Sequence, residues 1–181
     1  MSAIQKELKQ ARPFPARSVE GVVALLRTTD LLRRVLSGVV ESRRLTLQQF
    51  NVLRILRGTG PEGMPTLEIG ERMIEQSPGI TRLMDRLESK ALVKRKRCPH
   101  DRRQVLCRIT PAGLAALAAL EAPMEQAARS FLGCLGETRT GQLIHLLDAV
   151  RAAQGAQEQE DLPPSVRTGK PVPHFNQGEK R

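Results

Sequence analysis

Arg82 and Arg86 lie one helical turn apart in the stretch ITRLMDRLESKALV, and Arg102 and Arg103 follow in the turn CPHDRRQ. A guanidinium is a planar fork of five donors that fits a guanine edge or a phosphate, so arginines spaced like this can read or grip a nucleic acid. For an arbitrary helix a plainer reading is the better one: solvated arginines paired with Asp85 or Glu88. The basic hairpin behind them shifts the balance towards DNA. Ser77, Pro78, Gly79, Thr81, Arg82 and Arg86 form one candidate contact set, and Arg102 and Arg103 a second. The chain has no glycine-rich phosphate loop, nucleophile elbow, HExxH or paired-cysteine ligand set, so it is read as a binding protein and not an enzyme.

These residues need a scaffold, and the neighbouring sequence predicts one. The Ser77 hydroxyl can accept a first-turn N–H while Pro78 occupies the first helical position without wasting a donor. Ile80, Leu83, Met84 and Leu87 then fall at i, i+3, i+4 and i+7 as a buried face, leaving Thr81, Arg82, Asp85, Arg86 and Ser89 on the other side. Residues 92–97 and 105–110 have strand character, which makes the turn between them the tip of a basic hairpin. Lys94, Arg95, Lys96 and Arg97 cannot all face one phosphate backbone, and they read equally well as DNA-facing or as a solvated strand edge. Ahead of this helix, Thr66 opens a shorter one, as its cap or as a phosphate contact. There Leu67, Ile69 and Met73 are expected inward, with Gly70 where the two helices approach closely.

The flanking segments are long and apolar. Residues 18–44 start at Ser18 and carry Val22, Leu25, Leu26, Leu32, Leu36, Val39 and Val40 as a broad stripe that needs covering. Residues 45–110 hold the head: Thr46 with Gln49 fits a capping box ahead of Phe50, Leu53 and Leu56, and Gly58 and Gly60 stop that helix. Residues 111–154 supply two more helices. The first starts at Thr110 and Pro111, runs along Leu117, Leu120, Met124, Ala128, Phe131 and Leu135, and should kink at Pro123. The second, over 137–154, should bury Leu143, Leu147 and Val150. In residues 1–17, Lys6, Lys9, Arg12 and Arg17 face a single acid, Glu7, and Pro13 and Pro15 interrupt any helix, which predicts a mobile basic arm. Residues 155–181, with four prolines and no net charge, predict a disordered tail.

With 181 residues and 40% hydrophobic content, the chain can build a core, and 29 Lys and Arg against 19 Asp and Glu give a net charge of +10. Nucleic acid is the leading partner for such a surface. The longest apolar run, 114–120, is too short to span a membrane, and residues 1–17 lack a signal-peptide core, so a cytoplasmic protein with no membrane partner is expected. Cys98, Cys107 and Cys134 show no paired spacing, and His145 has no second ligand at i+3 or i+4, so neither a metal site nor a cofactor is expected. Cys107, alternating with Val105 and Ile109, reads as strand core, and Cys134 as helix packing. Cys98, beside Pro99 and His100, could be a thiol sensor or a metal ligand, because cationic neighbours favour a thiolate, but an ordinary unreactive cysteine is the better reading.

In order, Asp101, Arg103, Val105, Leu106, Ile109, Thr110 and Gly113 reproduce the wing signature of the multiple-antibiotic-resistance regulator (MarR) family, behind the matching helix. The chain resembles that family over roughly residues 18–154. The resemblance implies a mainly α protein with a small β-wing, a winged helix-turn-helix head flanked by N- and C-terminal dimerisation helices. It implies a homodimeric repressor of a pseudo-palindromic operator in double-stranded DNA, released by a small-molecule effector. Asp101 would then buttress Arg103 for insertion into a minor groove. An apolar or anionic effector near the helix junction could be reached by Arg43, Arg44 or Arg54, which read equally as solvated surface arginines. The alternatives are a thiol-based redox regulator of the same fold, or a winged helix that binds protein or RNA. Oxidation-sensing members of the family carry their reactive cysteine in the first helix with tyrosines nearby, and this chain has neither. Two departures stand out. Ala91 replaces the glycine that commonly ends the recognition helix, so that helix is expected to end differently by a residue or two. The lack of Trp and Tyr leaves the usual ligand pocket without polar aromatics.

Overall fold

The computed structural model describes residues 1–60, 62–75, 79–98, 101 and 104–161. The elements run α1 (Ala3–Glu7), α2 (Arg17–Glu41), α3 (Leu47–Arg57), β1 (Met64–Pro65), α4 (Thr66–Glu71), α5 (Ile80–Ser89), β2 (Val93–Arg97), β3 (Val105–Ile109) and α6 (Pro111–Leu132). A 3₁₀ turn over Gly133–Leu135 and α7 (Gly136–Asp161) complete the series. Met1–Phe131 forms one unit, and a second begins at Leu132.

Local chemistry starts and stops these helices. At α3 both halves of the capping box form: Gln49 N–H donates to Thr46 Oγ1 and Thr46 N–H to Gln49 Oε1, each at 3.2 Å. Helix α5 ends in a Schellman motif, in which Leu92 N–H donates to the Leu87 carbonyl at 3.0 Å and Ala91 N–H to that of Glu88 at 2.8 Å. Ala91 itself takes φ +56°. The expected shift of the helix end therefore does not occur; the alanine accepts the left-handed conformation and its strain. Arg44 (φ +54°) does the same beyond α2, where Leu45 N–H reaches back to Val40 at 3.2 Å.

The three strands form an antiparallel sheet in the order β1-β3-β2, with Val93 opposite Ile109, Arg95 opposite Cys107 and Arg97 opposite Val105. Because side chains alternate, Val93 and Arg95 share the inner face of β2 while Lys94 and Lys96 point outward. The core gathers Val40 of α2, Phe50, Leu53 and Leu56 of α3, Ile69 of α4, Leu83, Met84 and Leu87 of α5, Val93 and Cys107 of the sheet, and Leu117 and Leu120 of α6. Two joints lock the head. Gly113 sits so close to Leu92 that a Cβ would come within 2.3 Å of its carbonyl oxygen. Thr110 Oγ1 accepts Gly113 N–H at 3.0 Å and donates to the Ala91 carbonyl at 2.7 Å.

Several expectations need correcting. The segment read as a mobile arm contains α1, capped by Ser2 and tied to α2 through a 2.7 Å ion pair between Glu7 and Arg27; Pro13 and Pro15 lie beyond this helix and interrupt only the connection to α2. Helix α2 begins at Arg17, one residue before Ser18, with Ala16 as N-cap. Leu67 is 79% exposed instead of inward, because α4 has only six residues and turns just one face, that of Ile69, to the core. At Gly70 an added Cβ would meet nothing within 4 Å, so no close approach of helices requires glycine there. Helix α6 stops at Leu132, short of Leu135, with Pro123 inside it. Helix α7 extends to Asp161, seven residues into the expected tail, where Ala, Gln and Glu are good helix formers and no proline intervenes. Val150 is exposed there, while Leu143 and Leu147 are half-buried. The rest of the tail, 162–181, lies outside the described residues. On α2, only Val40 of the stripe is buried; Val22 and Leu26 are 57% and 65% exposed.

Candidate nucleic-acid interface

Helix α5, packed beside α4 and against β2, carries the described candidates Thr81, Arg82 and Arg86 on one exposed face of the head. Ser77 and Pro78 lie outside the described residues, but α5 begins at Ile80 with Gly79 as its N-cap, so the helix starts two residues later than a Ser77 cap would place it. Thr81, Arg82, Asp85, Arg86 and Ser89 are all exposed, opposite the buried Leu83, Met84 and Leu87. They form two rows of i, i+4 neighbours, Thr81–Asp85–Ser89 and Arg82–Arg86.

The acids of this face do not pair with its arginines. Glu88 and Asp85 instead both bind Arg95, projecting from the inner face of β2. Glu88 takes Arg95 Nε at 2.7 Å, Nη2 at 2.6 Å and the Arg95 backbone N–H at 3.1 Å; Asp85 shares Nη2 at 2.7 Å. The hydrogen bond that the Arg95 guanidinium donates to Glu88 holds it above its ordinary pKa; burial opposes this and Asp85 adds to it. Arg82 and Arg86 are left with no side-chain hydrogen bond or ion pair among the described residues. At the foot of α5, Lys90 Nζ donates to the Arg44 carbonyl at 2.5 Å and to Gln49 Oε1 at 3.1 Å, fastening the helix to the α2–α3 joint.

In the wing, Arg102 and Arg103 lie outside the described residues. Asp101 is half-buried, and its carbonyl accepts Gln104 N–H at 3.0 Å just ahead of β3. Thr66 is not the cap of α4. Pro65 holds that position, and the Thr66 hydroxyl turns to the sheet, donating to the Val105 carbonyl at 3.3 Å beside Cys107 Sγ at the same distance. With its hydroxyl engaged there, Thr66 is poorly placed to grip a phosphate.

Of the three arginines expected near the helix junction, Arg54 lines a cavity. That cavity, of about 400 Å³, is lined by Leu32, Arg33 and Leu36 of α2, Phe50 and Arg54 of α3, Glu75 beyond the end of α4, and Met124 of α6, among others. Arg33 and Glu75 pair across it at 2.8 Å. Arg43 and Arg44 are exposed and do not line it, since the left-handed turn at Arg44 carries the chain away. Cys107 is buried, and burial pushes its thiol up, partly offset by its hydrogen bond with Thr66. Cys134 is exposed on the 3₁₀ turn instead of packed in a helix, and Cys98 is half-buried. Among the described residues, no group of three metal-ligating side chains forms, and no helix is long and apolar enough to cross a membrane.

Sequence reasoning missed β1, the double role of Arg95, the Lys90 fastening and the Arg33–Glu75 pair. Only Arg95 had an available signal: alternation from the buried Val93 places it on the inner face.

Two helices and a basic wing arranged in this way define a winged helix-turn-helix head. A sequence model of the MarR family matches residues 45–105. A homoprotocatechuate degradative operon repressor of Escherichia coli is 28% identical over 141 residues, 78% of this chain and 93% of that protein. The crystal structure of a MarR transcription factor from Planctomyces limnophilus is 39% identical, with a TM-score of 0.59 over 76% of this chain and 99% of that one. BpsR of Bordetella bronchiseptica, solved in a study of how 6-hydroxynicotinic acid regulates its DNA binding, is 25% identical, with a TM-score of 0.65 over 73% and 98%. The chain belongs to the MarR family of transcriptional regulators, and it is a regulator and not an enzyme.

Proposed function

We propose that this protein is a homodimeric repressor that recognises a pseudo-palindromic operator through α5 and flanks it with the wing. The observation that carries the reading is the exposed Arg82–Arg86 row, unpaired among the described residues because Arg95 occupies the neighbouring acids. Arg82 and Arg86 would take base edges or phosphates, Thr81 and the Gly79 N-terminus of α5 the backbone, and Arg102 and Arg103 an adjacent groove. Pairing of two copies is supported by the apolar stripe of α2, whose Val22, Leu25 and Leu26 are exposed in the single chain. A symmetric dimer would set its recognition helices about 34 Å apart, one DNA turn. Retarded migration of DNA from upstream of its own gene, surviving excess random DNA, is the expected gel-shift result. Retardation of RNA alone, or equal competition by random DNA, would overturn the reading.

The cavity beside α2, α3 and α6 would house the effector. Its walls are mainly apolar, and Arg54, exposed at its edge, has no ion-pair partner among the described residues, which suits an aromatic acid. That BpsR is a relative regulated by 6-hydroxynicotinic acid supports the same ligand class. A ligand that shifts operator binding must itself bind more weakly to the operator complex, and by the same factor. Titration calorimetry with and without operator tests this, and equal affinities in both would dismiss the compound.

A further inference from the structure

Asp85 stands in the middle of the exposed face of α5, where a carboxylate is out of place if the face only grips phosphate. It repels the DNA backbone and offers no donor. Its structural use is slight, because Glu88 alone engages Arg95 through Nε, Nη2 and the backbone N–H, while Asp85 adds one shared contact to Nη2 through Oδ1. Asp85 is also the more exposed of the two acids, at 53% against 38%, and its second carboxylate oxygen has no partner among the described residues. Arg95, at 26%, is tucked beneath them.

We propose that Asp85 is a specificity-determining residue that accepts a hydrogen bond from the exocyclic amino group of a cytosine in the major groove, with Arg95 as its positioning residue. This rests on the reading of α5 as the operator-reading helix. Among bases, cytosine N4 presents a donor for which a carboxylate is the natural acceptor, and the lone free oxygen of Asp85 can supply it. Arg95 performs two tasks from the wing. It holds Oδ1 so that the other oxygen faces outward, and it neutralises charge that would otherwise oppose the approach of phosphates. Arg82 and Arg86, in the adjacent row, remain free for guanine edges or phosphates. The wing strand thus contributes to base selection without itself entering the groove.

DNA fragments selected from a random pool by the wild-type protein should carry one cytosine per half-site whose replacement weakens binding about tenfold, the size of one specific contact. Asp85→Asn should lose that preference and shift it towards adenine, whose N6 and N7 suit a carboxamide. Identical selected sequences from wild type and Asp85→Asn would overturn the proposal, whereas failure of the wild type to select any sequence would overturn the operator-reading role of α5 itself. Arg95→Gln tests the positioning role. It should weaken operator binding, Arg95→Lys should recover part of the loss, and Asp85→Asn combined with Arg95→Gln should bind better than Arg95→Gln alone. The dependence of log K on log salt should keep its slope. A slope lower by about one would mean that Arg95 contacts phosphate directly and would overturn its assignment. Unchanged circular dichroism ensures that each variant is compared as a folded protein.

Discussion

Replacing Ala91 by glycine should stabilise this protein. Ala91 holds φ +56° at the end of α5, where its Cβ crowds the backbone, a conformation that costs an L residue about 1–2 kcal/mol. The side chain is exposed, so no buried contact is lost. The backbone bonds Leu92 N–H to Leu87, Ala91 N–H to Glu88 and Thr110 Oγ1 to the Ala91 carbonyl need no side chain at this position and should survive. Against the relief stands the greater freedom of glycine in the unfolded chain, about 0.4–1 kcal/mol. The difference is a net gain of about 0.5–1 kcal/mol. Urea unfolding followed by circular dichroism at fixed protein concentration should show a higher midpoint with an unchanged slope. The same exchange at Ala118, exposed within α6, should instead cost about 1 kcal/mol by helix propensity. A midpoint for Ala91→Gly at or below that of wild type would refute the reasoning.

Gly113→Ala should destabilise by about 1–3 kcal/mol despite the better helix propensity of alanine, since the new Cβ lands 2.3 Å from the Leu92 carbonyl oxygen and overpacking costs that much; thermal unfolding checks it. Cys107, its thiol raised by burial, stays protonated in the fold while the unfolded thiol ionises, so its stability contribution is whole below the ordinary thiol pKa and falls as pH climbs above about 8.5. Cys107→Ala should remove that alkaline slope in a stability–pH profile, and alkylation mapped by mass spectrometry should find Cys107 protected until unfolding and Cys134 open. Arg82→Ala or Arg86→Ala should cost about 1–3 kcal/mol of operator affinity if the arginine reads a base; equal weakening on random DNA would assign it to phosphate instead.

Local rules carried the sequence reading as far as they reach. Periodicity placed the buried and exposed faces of α5, alternation placed β2 and β3, and the capping box placed the start of α3. Two-residue β1 has no pattern to detect, and its pairing with β3 is a product of the folded chain alone. The same limit applies to the site. The rule of i+3 neighbours pairs Asp85 with Arg82 of its own helix and offers Glu88 no arginine there, but the stronger competitor for both acids, Arg95, is a strand residue presented at close range by the sheet. At Ala91, the left-handed preference predicted a shifted end, and the bonds from Leu92, Thr110 and the core held the end in place. Leu67 and Gly70 were misplaced for one reason: in a six-residue helix the apolar pattern has too few turns to define a face.

The exposed stripe of α2 carries a genetic consequence. If Val22, Leu25 and Leu26 are covered by a second copy, a subunit with a ruined head still offers an intact stripe and still recruits a healthy partner. The resulting mixed pair would present one working α5 to an operator built for two. Alleles that damage Arg82 or Arg86 should therefore behave as dominant over the wild type when both are expressed. Alleles that destroy the stripe should be recessive, because their products never reach the healthy subunits.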